Sequence, residues 1–387
     1  MANILKSFRR LFTPVEPIPT GTYHYIAPQD DPRNYRLHLR VEGDGSGVLI
    51  INASTILHLN QTAAEYAYYL VKNISPEEVG LNMAQRYEIS SEEAQRDYQD
   101  LIDRIQVLIN TPDLDPVTFL DFERLQPFSG YIPAPYRLDC AITYRLPTHI
   151  DPQVAPIDRV EKELSTDEWL TLIDKTQEVG IPHLVFTGGE PTMRDDLPDL
   201  LIRAEKNNQV TGLLSNGLKF SDQAYLDKLL LTGLDHLMMV LQPKNEQAWL
   251  ALENVLAADL YVAVHLTLTE DNLGEVMSLF ERLADMDVKA ISLTISDPSL
   301  ETELQKAREL VSELDLDLVW NMPVPYSARN PVALETAYSE EREGAGRAWL
   351  YLEPDGDVLP AQGINRVLGN ILEDEWEKIW MNAHSGE

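Results

Sequence analysis

Thr187-Gly188-Gly189-Glu190-Pro191 contains the residue types in this chain that are best suited to holding a ligand. Two adjacent glycines allow the backbone to approach a bound molecule closely. The segment follows a predicted strand and precedes a predicted helix, and the amides and carbonyls at such a strand end form a binding edge. By itself, however, the segment is equally typical of an ordinary glycine turn between a strand and a helix.

Other polar residues follow the neighbouring predicted strands. Ser215-Asn216-Gly217 ends the next strand, Gln242 ends the fourth, and Asn272 follows the fifth. Asn272 could equally cap the following helix. His265 lies inside an apolar strand, so we interpret it as a hydrogen-bonded core histidine. The sequence has neither a Ser–His–Asp arrangement nor a zinc-ligand spacing, and we predict no catalytic side chain and no metal ligand.

These strand ends can meet only if consecutive strands lie side by side in one sheet. From residue 138 to 314, apolar runs alternate with amphipathic helices about every 25 residues, the pattern of βα units on a parallel sheet. The fold class is therefore α/β, with six units that could close into a partial (βα)6 TIM-like barrel; an open doubly wound sheet is the alternative. We predict strands at 138–144, 183–187, 210–214, 237–241, 261–267 and 290–295, and helices at 167–178, 197–207, 222–231, 246–257, 273–286 and 301–314.

A different pattern precedes this region. Residues 35–41 alternate apolar and polar side chains, as in a half-buried strand, and a second strand at 48–51 follows a glycine-rich turn. Helices are predicted at 62–71, after Ser75, and from Ser90 to about residue 109. Residues 21–110 should thus form a small winged-helix-like α+β domain after a flexible tail at 1–20, and a proline-rich linker at 111–136 should follow it.

The overall composition excludes several classes of protein. The 387 residues carry 63 acidic and 31 basic side chains, a formal charge of -32 that disfavours binding to nucleic acid. The sequence has no apolar run of about 18 residues, so we expect no membrane span. A single cysteine permits no internal disulfide, which fits a cytoplasmic location.

The sequence between residues 135 and 325 resembles the radical S-adenosylmethionine (SAM) enzymes. The likeness is carried by Cys140-Ala-Ile-Thr-Tyr-Arg, the glycine segment with Met193-Arg-Asp-Asp-Leu after it, and Leu214-Ser-Asn-Gly. It implies a radical SAM-like partial barrel over 137–321, in which the strand end at the glycines contacts the amino group of SAM. Residues implied to contact this cofactor are Gly188, Gly189, Glu190, Pro191, Ser215, Asn216, Gly217, Gln242 and Asn272.

The chain departs from this family at the residues that bind its iron–sulfur cluster. The family places three cysteines after the first strand, and the corresponding positions hold Leu146, Ile150 and Gln153. Three thiolates are needed to hold the cluster and leave one iron open for SAM. Cys140 lies within the first strand, where it should be a small buried apolar residue, and His149 alone cannot form a site. We therefore expect no 4Fe-4S cluster.

Both ends of the chain resemble modules that accompany such enzymes. Residues 322–387 resemble the SPASM extension, a carrier of auxiliary clusters, but hold Glu343 and Ala361 where cysteines would lie; Glu353 to Asp357 is a predicted hairpin turn. Residues 21–110 resemble PqqD-like peptide-recognition domains. A precursor peptide could therefore bind by adding a strand to a sheet edge, and the face with Arg36, His38 and Arg40 could meet an acidic leader segment.

These observations leave three hypotheses. The first is a pseudoenzyme that keeps the scaffold and acts as a peptide-binding or scaffolding partner in peptide or cofactor maturation. Its own partner would be a precursor peptide or a cluster-containing homologue. The second is an active SAM-dependent enzyme of the superfamily, and the third is a peptide-binding chaperone that never binds SAM. Reductive cleavage of SAM requires an electron delivered through the cluster, and the sequence offers no other electron source. The first hypothesis is therefore preferred.

Overall fold

The computed structural model describes residues 18–111, 132–336 and 344–384, apart from residues 29, 32, 34, 53, 54, 259, 315 and 321. Most of the predicted tail, most of the predicted linker and Glu343 lie outside these described residues. The chain divides into two compact units, residues 1–129 and 130–387. In the described ranges, no helix combines the length and the apolar character needed to cross a bilayer.

In its described residues, the first unit is an antiparallel sheet followed by three helices. Its strands are β1 (Gly21–Ile26), β2 (Arg36–Val41), β3 (Gly47–Ile51) and β4 (Thr55–Leu59), each hydrogen-bonded to the next. The helices are α1 (Gln61–Val71), α2 (Pro76–Arg86) and α3 (Ser91–Asn110). The two predicted strands and the three predicted helices are confirmed. β1 and β4 were not predicted; both are only partly buried, whereas β2 and β3 are almost fully buried.

Local capping explains where these helices begin. Asn60 accepts a hydrogen bond from the amide of Ala63 at 2.9 Å, and Ser90 accepts one from the amide of Glu93 at 3.1 Å. Each bond satisfies one of the backbone donors that the first turn of a helix leaves unpaired. The helices can therefore start directly after a strand or a tight turn.

The two faces of β2 are both buried. Leu37, Leu39 and Val41 enter the apolar core of the unit. On the opposite face, His38 and Arg40 are only 4% and 6% exposed; the Nδ1 atom of His38 lies 3.0 Å from that of His24, and Arg40 pairs with Glu42. Because these two basic side chains are buried, the expectation that they meet an acidic leader segment is wrong.

The second unit contains the predicted βα units. Its parallel strands are β5 (Arg137–Thr143), β6 (His183–Gly188), β7 (Val210–Ser215), β8 (His236–Val240), β9 (Tyr261–Leu268), β10 (Ala290–Ile295) and the short β11 (Asp317–Leu318). Six helices connect them: α4 (Thr166–Glu178), α5 (Leu197–Lys206), α6 (Gln223–Leu230), α7 (Glu246–Leu256), α8 (Val276–Asp285) and α9 (Glu301–Glu313). Each predicted strand and helix of this region is confirmed to within a few residues.

The strand order decides between the two predicted architectures. β5 to β11 lie in sequential order, without the reversal that defines a doubly wound sheet. The partial-barrel prediction is therefore confirmed. On the other side of β5, the sheet continues through the parallel β12 (Trp349–Leu352) and the antiparallel β13 (Asp357–Leu359) and β14 (Gly369–Asn370); α10 (Trp376–His384) follows. The predicted hairpin turn at 353–357 joins β12 to β13.

Alternate side chains of the parallel strands fill the interior of the barrel. Val185, Leu214, Met238, Ala263 and Ala290 form an apolar layer there. Farther along β9, His265 is fully buried, and its ring nitrogens lie 3.1 Å from the Ser292 hydroxyl and 3.0 Å from the Thr294 hydroxyl. The prediction that His265 is a hydrogen-bonded core residue is confirmed.

We expect this burial to make the second unit sensitive to acid. Burial lowers the pKa of His265 to about 3, so the folded state keeps the imidazole neutral while the unfolded chain takes up a proton below about pH 6.5. The free energy of unfolding should therefore be lower at pH 5 than at pH 7 by about 2 kcal/mol because of this residue. Urea unfolding at several pH values should show a flatter pH dependence for His265→Asn than for the wild type. An unchanged slope in His265→Asn would contradict this assignment.

Candidate functional site

The two glycines at the end of β6 lie against the end of β5. The amide of Gly189 donates to the carbonyl of Thr143 at 2.8 Å, and the amide of Glu190 donates to that of Arg145 at 2.9 Å. A Cβ atom on Gly188 would lie 2.3 Å from the Thr143 carbonyl oxygen, and Gly188 has a φ of +121°. The glycine pair is therefore required by the close approach of two backbones, whatever else it contacts.

Glu190 joins the end of β6 to the end of β7. Its Oε1 atom accepts hydrogen bonds from the Ser215 hydroxyl at 2.7 Å and from the Thr192 hydroxyl at 2.6 Å. Its Oε2 atom accepts one from the amide of Asn216 at 2.8 Å. Glu190 is only 3% exposed, so its side-chain oxygens depend on these donors for their hydrogen bonds. Glu190 thus clamps two neighbouring strand ends together.

The turn after β7 is held by its own side chains. The Ser215 hydroxyl accepts a hydrogen bond from the amide of Gly217 at 3.0 Å, and the Asn216 side chain accepts one from the amide of Leu218 at 2.9 Å. Gly217 has a φ of +72°, a conformation that favours glycine. Pro191 opens the short 3-10 helix Pro191–Met193, which begins immediately after Glu190. Gly188–Pro191 and Ser215–Gly217 therefore form one connected site.

Gln242 and Asn272 form separate local turns at the same carboxyl edge of the sheet. Gln242 accepts a hydrogen bond from the side chain of Asn245 at 3.1 Å. Asn272 is buried and donates to the carbonyl of Thr267 at 3.0 Å, and it does not cap the helix that follows. In the described residues, no hydrogen bond joins either side chain to Glu190. Their predicted contact with SAM stays a prediction.

Two polar groups at the end of β6 bear on ligand binding: the side-chain hydroxyl of Thr187 and the backbone carbonyl of Gly188. The Thr187 hydroxyl is buried without a hydrogen-bond partner among the described residues. A buried unpaired hydroxyl is unfavourable, so a polar ligand atom at this point would be stabilised. Against this, the carbonyl of Gly188 already accepts a hydrogen bond from the amide of Tyr326 at 2.8 Å. The Thr187 hydroxyl is therefore available to a ligand, whereas the Gly188 carbonyl is already hydrogen-bonded to Tyr326.

The loop after β5 has no side chains that suit an iron–sulfur cluster. Leu146 packs against a buried cluster that includes Tyr144 and Tyr326, Ile150 is half-buried, and Gln153 is exposed. Cys140 is fully buried within β5, and burial raises the pKa of its thiol. Nowhere in the described ranges do three His, Cys, Asp or Glu side chains converge as metal ligands would. The donor set therefore does not fit a cluster of the family type, which needs three thiolates.

A buried network, which we call the tyrosine–glutamate cluster, lies beside this loop. It comprises Tyr144, Arg159, Tyr326, Glu335 and Glu353. The Tyr144 hydroxyl donates to Glu353 at 2.9 Å, and Arg159 lies 3.7 Å from the same carboxylate. Arg159 and the Tyr326 hydroxyl both also bind Glu335. The cluster fastens the loop after β5 to the hairpin between β12 and β13.

The electrostatics of this cluster follow from its burial. Burial raises the pKa of Glu353, against the opposing effects of Tyr144 and Arg159. It also raises the pKa of Tyr144 well above the usual range, so the phenol remains a hydrogen-bond donor. None of these roles was predicted, because the partners lie up to 209 residues apart in sequence and share no local pattern. Glu353 was predicted only as a turn residue.

Tyr144→Phe should destabilise the second unit by about 1–2 kcal/mol, because a buried carboxylate loses one of its donors. Tyr225→Phe is the matched control: the hydroxyl of Tyr225 is buried but has no hydrogen-bond partner among the described residues. Its removal should change the unfolding free energy by no more than about 0.5 kcal/mol in urea titrations. Equal effects of the two substitutions would show that the Tyr144–Glu353 bond contributes nothing.

Comparisons with known proteins agree on the type of fold. Residues 140–246 match the model of the Radical SAM superfamily. A protein named PqqA peptide cyclase from Granulibacter bethesdensis is 34% identical over 113 residues, which cover 29% of this chain and 30% of that protein. A PqqA peptide cyclase from Streptomyces rochei is 25% identical over 289 residues, covering 65% of this chain and 77% of that protein. The chain thus matches less than a third of the length of the first of these relatives.

Solved structures extend the likeness to most of the chain. SuiB from Streptococcus suis bound to S-adenosylmethionine has a TM-score of 0.56 at 14% identity, covering 92% of this chain and 88% of that protein. SuiB bound to the precursor peptide SuiA has a TM-score of 0.55 at 12% identity, with the same coverage. At such low identity, this similarity establishes the fold alone.

Proposed function

Because residues 140–246 match the model of the Radical SAM superfamily, we propose that this chain is a peptide-binding or scaffolding pseudoenzyme without cluster chemistry. The observation that carries this proposal is the loop after β5, where Leu146, Ile150 and Gln153 offer no thiolate. The only cysteine is buried within the preceding strand. Without three thiolates, an iron–sulfur cluster of the family type has nothing to hold it.

SAM could still bind at the carboxyl edge of the sheet. Gly188–Pro191 and Ser215–Gly217 form one largely buried, hydrogen-bonded cluster there, and a polar ligand atom could pair with the Thr187 hydroxyl, which has no partner among the described residues. SAM would supply an electrophilic methyl group to polar chemistry, whereas its reductive cleavage would need an external electron source. We therefore propose that any SAM bound by Gly188, Gly189, Glu190, Pro191, Ser215, Asn216, Gly217, Gln242 and Asn272 is a structural or vestigial ligand.

The proposed peptide site is the outer edge of β4. β4 is the last strand of its sheet and pairs only with β3 among the described residues, so its other edge can accept an added strand. A groove of about 410 Å³ lies between the end of β4, the start of α1 and one face of α3. We call it the β4–α3 groove; its lining includes the buried Leu59 and Leu101 and the exposed Asp97 and Asp100. An added strand could direct alternate side chains into it.

The proteins that are similar to this chain support a precursor peptide as its partner. Two similar proteins are named as peptide cyclases, and SuiB has been solved with a precursor peptide. Within this proposal, residues 21–110 are a PqqD-like recognition domain and 322–387 a degenerate SPASM-like extension. A cluster-containing homologue would then be a second partner, which supplies the chemistry this chain lacks. The lone buried cysteine suits a reducing cytoplasm, which is the proposed location.

An anaerobic assay tests the proposal against its main alternative, an active SAM-dependent enzyme. The purified chain is incubated with SAM and dithionite, and 5′-deoxyadenosine is measured, with an iron-loaded radical SAM enzyme as the positive control. We expect no product above the level of heat-denatured protein. Multiple turnovers would contradict the pseudoenzyme proposal. Calorimetric titration with SAM separates a retained SAM site from a peptide-binding chaperone that never engages SAM.

A further inference from the structure

The charges around the β4–α3 groove do not balance. Of its acidic lining residues, Asp100 pairs with Arg104 at 2.8 Å. The side chain of Asp97 is exposed, and no ion pair or hydrogen bond joins its carboxylate to another described residue. Of the basic lining residues, Arg104 is thus matched by Asp100, and His58 is largely uncharged at neutral pH because burial and the nearby Arg40 lower its pKa. One carboxylate therefore remains uncompensated at the groove.

A second polar group at the groove, the Tyr66 hydroxyl, also has no hydrogen-bond partner among the described residues. Tyr66 lines the groove and is 4% exposed, and its hydroxyl is buried without a hydrogen bond among the described residues. Burial and then the Asp97 carboxylate raise the pKa of Tyr66 to about 12, so the group stays a neutral phenol. A phenol oxygen can accept a hydrogen bond from a cation. A carboxylate and a phenol oxygen together suit an ammonium or guanidinium group.

We propose that the β4–α3 groove selects a lysine or arginine side chain of the bound peptide, with Asp97 as its counter-ion. This inference rests on the proposed peptide-binding function, because it names the side-chain chemistry that the groove would recognise. The aliphatic part of such a side chain would contact Leu59 and Leu101, and its charged end would reach the exposed carboxylate. An acidic side chain at the same point would meet like charge.

A positional-scanning library of acetylated hexapeptides, rich in valine and threonine to favour extended chains, is the probe. Full-length protein is immobilised, and bound peptides are sequenced at low and at physiological salt. We expect lysine or arginine to be favoured over glutamate by about tenfold at one position, less so at the higher salt concentration. Asp97→Lys should abolish this preference. Asp103→Lys is the matched control, because Asp103 is exposed on the same helix but does not line the groove.

The outcomes separate this inference from the function on which it rests. Bound peptides without a basic preference, or a preference that survives Asp97→Lys, would overturn the charge assignment while leaving peptide binding intact. If Asp97→Lys and Asp103→Lys reduced the preference for basic side chains equally, the charge assignment would also be overturned, because the general charge of α3 would then explain the selection. The absence of any enriched peptide would overturn both the inference and the peptide-binding role. Circular dichroism of both variants confirms that the fold is retained.

Discussion

Glu190→Ala is expected to lower the free energy of unfolding of the second unit by about 3–5 kcal/mol. The substitution removes a buried carboxylate that accepts hydrogen bonds from the hydroxyl groups of Thr192 and Ser215 and from the amide of Asn216. These donors would be left unsatisfied where water does not reach them easily. The six tryptophans lie between Trp169 and Trp380, so tryptophan fluorescence in urea reports on this unit alone.

Asp195→Ala is the matched control for this substitution, since Asp195 is an exposed acidic residue close by in sequence. We expect it to change the unfolding free energy by no more than about 0.5 kcal/mol. A Glu190→Ala variant as stable as the control would contradict the clamping role. Unchanged stability combined with a loss of SAM affinity would instead assign the carboxylate to ligand binding.

The second large effect is expected from Gly188→Ala. Its φ of +121° is strained for any residue with a side chain, and the new methyl group would lie 2.3 Å from the carbonyl oxygen of Thr143. Either β5 and β6 separate at this point or the backbone changes conformation. We expect a loss of about 3–5 kcal/mol in the unfolding free energy, or failure to fold.

Gly274→Ala provides the comparison for that glycine. A Cβ atom at Gly274 meets nothing within 4 Å, and the residue lies in the short 3-10 helix Leu273–Glu275. Its substitution should be neutral to within about 0.5 kcal/mol. If Gly188→Ala proved equally neutral, contact with a ligand, rather than the contact between the strands, would explain the glycine pair.

Much of the barrel could be predicted because its signals are local. Each strand is a short apolar run and each helix an amphipathic one. Capping residues mark helix starts: Ser165 and Glu168, for example, form a capping box at the start of α4. The barrel itself, rather than a doubly wound sheet, could not be decided from these local patterns. That distinction depends on strand order, which only the three-dimensional pairing of β5 to β11 reveals.

The site was predicted in position but not in its physical role. Gly188, Glu190 and Ser215 were recognised through a family resemblance, and they do lie together. The hydrogen bond between Ser215 and Glu190, however, shows that these two side chains hold the strand ends in place, which no spacing rule could reveal. The tyrosine–glutamate cluster escaped prediction for the same reason: Tyr144 and Glu353 are distant in sequence, and Glu353 has the local pattern of a turn.

The iron content of the chain after anaerobic reconstitution tests the central claim most directly. The protein is incubated with ferrous iron, sulfide and dithiothreitol, desalted, and analysed for iron and for absorbance near the thiolate-to-iron charge-transfer band. Since Leu146, Ile150 and Gln153 supply no thiolate, we predict a colourless protein with well under one iron atom per chain. A brown protein with about four iron atoms per chain, and a spectrum that bleaches on reduction, would contradict the account.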